Sequence, residues 1–121
     1  MGAMGTPPAG YELQVDSTGS RAQRRLTLGG ELDLASTPAL TETVARLCAD
    51  GTREIVLDIG GLEFIDSTGL RCILAARAAC ERGGSRLVVE PEPERVSPQV
   101  RRLLQVTGLL ERLPFQAAQH D

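Results

Sequence analysis

No lysine occurs anywhere in the 121-residue chain; all 13 basic residues are arginine. A Walker-type phosphate loop and a Schiff-base mechanism both need a lysine amine, so both are excluded. Histidine is nearly absent as well. The single one, His120, stands beside the carboxyl end, a position unsuited to an ordered catalytic triad or a zinc site. A basic excess is also missing: 13 arginines face 16 acidic residues, for a net charge of -3. Nucleic-acid binding, which rests on phosphate neutralisation, therefore has no evident source. Long apolar runs are wanting too, for the stretch 55–59 is broken by Asp58, whereas a bilayer crossing needs roughly 20 apolar residues. Residues 1–10 lack the apolar core and charged front of a secretory signal and read as a flexible leader, in which the repeated Met-Gly suggests Met4 as the native start. The three cysteines, Cys48, Cys72 and Cys80, are odd in number and follow no metal-ligand spacing. A reducing cytoplasm is the expected location, with no cofactor and no metal. On a helix Cys72 and Cys80 would stand about 80° apart and pack as small hydrophobes, with redox sensing as the alternative reading.

What is present is enough for one core. Hydrophobic residues make up 41% of the chain, and its length suits a single domain, taken as residues 11–115 with a loose tail over 116–121. Tyr11, Leu13 and Val15 alternate with polar residues, and Leu26, Leu28, Leu32 and Leu34 keep the same period of two, which predicts two strands. The polar stretch 17–23 between them suits a reversing loop and antiparallel pairing. Thr37 followed by Pro38 reads as N-cap and first helical position, with Leu40, Val44, Leu47 and Cys48 on the helix's inner face and Asp50-Gly51 at its end. Ile55, Val56, Leu57 and Ile59 form the near-continuous apolar run of a central parallel strand. After Gly60-Gly61 the chain crosses 62–65 and enters a second helix near Ser67, stopped by Gly83-Gly84. Leu87, Val88 and Val89 predict a fourth strand, and Ser97-Pro98 opens a third helix bounded by Gly108 and Pro114. The expected fold class is α/β, in the order ββαβαβα, with a mixed sheet packed by helices.

The segment 60–70 follows the carboxyl end of the predicted central strand, where open α/β sheets place their sites. Asp66, Ser67 and Thr68 can each cap a helix. Gly69, read as lying in an exposed first turn, would let another backbone approach closely, and the hydroxyls beside it suit a kinase or a docking partner. A well-capped helix with a tolerated glycine accounts for the same residues.

Three blocks in order, Gly30-Glu31-Leu32-Asp33, Phe64-Ile65-Asp66-Ser67-Thr68-Gly69-Leu70, and Ser97-Pro98 through Thr107-Gly108-Leu109, carry a resemblance. Over residues 11–113 the chain resembles the bacterial anti-sigma factor antagonists of the STAS family, the sulfate transporter and anti-sigma factor antagonist domains. The resemblance implies a non-enzymatic partner-switching protein. Unphosphorylated, it would bind an anti-sigma factor, often itself a serine kinase, and free a sigma factor; phosphorylation would end the contact and a serine phosphatase would restore it. Ser67 aligns with the usual acceptor, and Thr68 is the second choice. Arg71 departs from the glycine common at that position and bears on which partner fits.

The partner surface expected from these residues comprises Asp33, Asp66, Ser67, Thr68, Gly69, Arg71, Ala75 and Ala78. Asp33 reads equally as a turn residue and Asp66 as a cap. The stripe Arg71, Ala75, Ala78 and Arg82 reads as a solvated face, or as one whose alanines admit a partner helix. The free protein is expected as a monomer or weak dimer, with neither nucleic acid nor membrane as a direct partner. Two other readings stand beside this one: a STAS accessory subunit of a transporter or stress-sensing assembly, and a small nucleotide-binding or nucleotide-hydrolysing α/β protein.

Overall fold

A computed structural model describes residues 12–108. The leader over 1–10, the tail over 116–121, Tyr11, Pro114 and His120 lie outside the described residues. Within them the order is β1 (Gln14–Gly19), β2 (Gln23–Leu32), α1 (Thr37–Ala49), β3 (Glu54–Ile65), α2 (Ser67–Arg82), β4 (Arg86–Glu90), a 3-10 turn (Pro93–Arg95) and α3 (Pro98–Thr107). The expected ββαβαβα alternation is present, and the short 3-10 turn is an addition to it.

The four strands form one sheet in the order β1-β2-β3-β4. β1 runs antiparallel to β2, and β2, β3 and β4 are mutually parallel. β3 is thus a central parallel strand. Its residues Ile55, Leu57 and Ile59 join Leu26 and Leu28 of β2 and Leu87 and Val89 of β4 in a core completed by Leu40 and Val44 of α1, Leu70 and Ile73 of α2, and Val100 and Leu104 of α3. Alternation along the strands turns the intervening residues to the other face. There Arg25 of β2 donates to Asp58 of β3 at 2.9 Å and to Glu90 of β4 at 2.7 Å, linking the three parallel strands. Those two acceptors, the hydrogen bond to Glu90 first, raise the Arg25 guanidinium pKa above its ordinary value.

Four boundaries differ from the sequence expectation, each for a local reason. β1 extends through Gly19, so the reversing loop is only the three residues 20–22; the pairing of Asp16 through Gly19 with Thr27 through Arg24 outweighs their polarity. β2 ends at Leu32, and Leu34 falls in the following turn, 71% exposed. The N-cap of α1 is Ser36, not Thr37, because Ser36 is drawn into a turn with Asp33 while Thr37 already has helical geometry. β3 does not stop at Gly60-Gly61 but continues to Ile65 through two register shifts against β2. Such bulges insert an extra residue and bend the strand. Gly61 makes the first one possible, since a Cβ there would lie 2.8 Å from the Leu28 carbonyl oxygen.

Candidate functional site

The bulged end of β3 delivers the chain to α2 beside the end of β2. The backbone N–H of Asp66 donates to the Leu32 carbonyl at 3.3 Å, so the turn after β2 and the start of α2 form one surface. Asp66 is the N-cap of α2, and its Oδ1 accepts the Gly69 N–H at 2.8 Å. Ser67 is the first helical residue and is exposed. None of the hydrogen bonds among the described residues uses its hydroxyl. Thr68, next to it, is half-buried. Of the two hydroxyls, Ser67 is the accessible one.

Gly69 corrects the expectation of an exposed first turn. It is buried, and the backbone it admits belongs to this chain: a Cβ would lie 2.5 Å from the Leu32 carbonyl oxygen and 2.8 Å from Ile65 Cγ1. The glycine is there so that α2 can dock against the end of β2, and it offers a partner no surface of its own.

Asp33 is committed to its turn. Its Oδ1 accepts the Ser36 N–H at 3.1 Å, and the Ser36 hydroxyl oxygen accepts the Asp33 N–H at 2.9 Å, a reciprocal pair that closes the segment between β2 and α1. Arg71, Ala75 and Ala78 are all exposed along α2, continuing outward from Ser67.

Three residues of this region were not among the site candidates read from the sequence, although Phe64 stands in the motif that carries the resemblance. Gln99, in the first turn of α3, accepts the Ile65 N–H at 2.9 Å through its Oε1 and donates from Nε2 to the Ile65 carbonyl at 3.0 Å. This bidentate grip holds the residue before Asp66 as a neighbouring strand would. Leu34 and Phe64 are large apolar side chains left exposed, at 71% and 36%, in the turn after β2 and near the end of β3. The strand period itself marks Leu34 as buried; only the early end of β2 shows otherwise. Among the described residues no group of His, Cys, Asp and Glu side chains is placed to hold a metal, and no helix is long and apolar enough to cross a membrane.

A single domain with a four-stranded mixed sheet and three helices in this order is the STAS fold. The chain belongs to the STAS-domain family described as "Mlab, STAS domain", which matches residues 13–114. It is 30% identical over 97 residues to the anti-sigma-B factor antagonist of Staphylococcus aureus, covering 80% of this chain and 86% of that protein. Its fold is similar to an anti-sigma factor antagonist from Mycobacterium paratuberculosis, with a TM-score of 0.68 at 22% identity over 88% of this chain and 87% of that one. It is also similar to the anti-sigma factor antagonist SpoIIAA in its unphosphorylated form, with a TM-score of 0.65 at 22% identity and 89% coverage of both chains.

Proposed function

We propose that this chain is an anti-sigma factor antagonist switched at Ser67. Unphosphorylated, it binds an anti-sigma factor and thereby frees a sigma factor; phosphorylation of Ser67, by a serine kinase that in this family is often the anti-sigma factor itself, ends the contact. A serine phosphatase resets it. The observation that carries this reading is the exposed, unengaged hydroxyl of Ser67 at the first position of α2, on a segment already held by the Asp66 cap and by Gln99. The 30% identity to a named antagonist supports the partner class.

The physics of a phosphate at this position favours a switch over an unfolding event. A phosphoserine carries about -1.5 to -2 charges near neutral pH, and a helix N-terminus favours negative charge through its free N–H groups and dipole. The domain tolerates the group. A partner surface shaped for a neutral hydroxyl does not, since the phosphate must be desolvated there beside the Asp66 carboxylate. About 3 kcal/mol of such penalty weakens binding roughly a hundredfold. Exposed Leu34, in the turn after β2, and Phe64, near the end of β3, offer apolar area to a partner, and Arg71, Ala75 and Ala78 extend the face along α2.

The test is incubation of the full chain with ATP and each candidate anti-sigma kinase, followed by intact-mass and peptide mass spectrometry. One phosphoryl group mapped to Ser67, and its loss in Ser67→Ala, supports the reading. Modification that persists unchanged in Ser67→Ala refutes it.

A further inference from the structure

Where α1 and α2 lie side by side, Cys48 Sγ and Cys80 Sγ are 3.3 Å apart, although 32 residues separate them in sequence. Both are free thiols. Disulfide sulfurs lie about 2.05 Å apart, so joining these two takes an approach of roughly 1.2 Å, shared between two side chains near helix ends. The residues differ in access. Cys80 is fully buried, whereas Cys48 is half-buried and lines a cavity of about 440 Å³ between the two helices, together with Ala75, Ala79 and Arg82. A small molecule entering that cavity meets Cys48 first. Burial, and then the hydrogen bond with Cys48, push the Cys80 thiol up to about 12, which disfavours the thiolate that reagents in solution would meet. Cys80 remains able to react with an electrophilic sulfur held against it, because proximity can supply an effective concentration on the order of 10⁵ M or more.

We propose that Cys48 and Cys80 form a peroxide-oxidisable dithiol site, distinct from Ser67, whose oxidation ties α1 to α2. In the first step the Cys48 thiolate attacks one oxygen of hydrogen peroxide. The S–O bond forms, the O–O bond breaks, and hydroxide leaves to be protonated to water, so Cys48 becomes a sulfenic acid. In the second, the Cys80 sulfur attacks the Cys48 sulfur; the S–S bond forms, the S–O bond breaks, and the departing hydroxyl leaves as water with the Cys80 proton. Two thiols lose two electrons and two protons, and the peroxide becomes two waters. A small thiol reverses the bond by exchange. In a compartment that keeps thiols reduced, such a bond is transient, as befits a sensor. Cys72 has no part in it, for its neighbours are the Thr41 hydroxyl at 3.4 Å and the Thr37 carbonyl at 3.8 Å.

The experiment takes the reduced full chain, adds one equivalent of hydrogen peroxide, unfolds it in urea to alkylate every remaining thiol and maps the peptides, with thermal denaturation of the folded chain in parallel. The expected result is a Cys48–Cys80 linked peptide, alkylated Cys72, and a Tm raised by about 10 °C that reductant returns to its starting value. Cys80→Ser should instead accumulate a Cys48 sulfenic acid that a diketone reagent traps. Overoxidised Cys48 beside an alkylated Cys80 in the unmutated chain, or disulfides formed only between chains through Cys72, would overturn the proposal. The mapping of the unmutated chain decides the matter even if the serine variant fails to fold.

Discussion

Gln99 holds Ile65 by both of its backbone polar groups, accepting the N–H at 2.9 Å and donating to the carbonyl at 3.0 Å. Ile65 is fully buried, so neither group could turn to water if the amide were removed. One side chain of α3 thereby fixes the last residue of β3, and with it the direction in which Asp66 and Ser67 leave the sheet.

Gln99→Ala therefore destabilises the domain by about 1–3 kcal/mol, the cost of leaving buried backbone groups unpaired. Urea denaturation measures it. Gln105→Ala, on the exposed side of the same helix, should stay within about 0.5 kcal/mol of the parent. Equal effects at the two positions would remove Gln99 from the account.

Gly69→Ala decides between two opposed effects. Helix propensity alone favours alanine by about 1 kcal/mol. The new Cβ, however, would sit 2.5 Å from the Leu32 carbonyl oxygen, and a backbone atom cannot swing aside as a flexible side chain would. Overpacking of this kind costs about 1–3 kcal/mol, so a net loss of stability is expected. A gain in denaturation midpoint would contradict the docking assigned to this glycine.

Asp33 can be tested by separating its oxygen from its charge. Asp33→Asn keeps an acceptor for the Ser36 N–H and should retain stability, whereas Asp33→Ala should lose about 1 kcal/mol. Parallel binding measurements complete the test. If Asp33→Asn folds normally yet loses partner affinity, the carboxylate charge is read directly by the partner.

The raised Cys80 thiol predicts an alkaline dependence. A group whose folded pKa lies above its unfolded value contributes stability below the unfolded pKa and loses it as pH rises toward the folded one. The window here runs from the ordinary thiol value of 9.0 up to about 12. Cys48 of α1 and Glu81 of α2 are the titratable neighbours that help hold the proton on. Tm should fall more steeply with pH above this lower limit in the parent chain than in Cys80→Ala; superposable profiles would contradict it.

The order of elements was legible because each rests on a local pattern: the period of two in Leu26 and Leu28, the apolar run of β3, and the Ser97 cap, whose hydroxyl accepts the Val100 N–H at 3.3 Å. Ser67 was legible for the same reason, as a hydroxyl at a helix start. Gly69 was found but misassigned, since its neighbour is Leu32, which only the parallel pairing of β2 with β3 brings there. Gln99 and the Cys48–Cys80 contact escaped for that reason as well. Each joins residues more than 30 positions apart, and no periodicity within a segment records which helix packs beside which.

The central claim concerns charge at one hydroxyl, and the most direct measurement compares the affinity of the cognate anti-sigma factor for the unmodified chain and for the chain phosphorylated at Ser67, with circular dichroism on both. The account predicts unchanged spectra and a Kd weakened roughly a hundredfold or more by the phosphate. Equal affinities for two identically folded forms would contradict it.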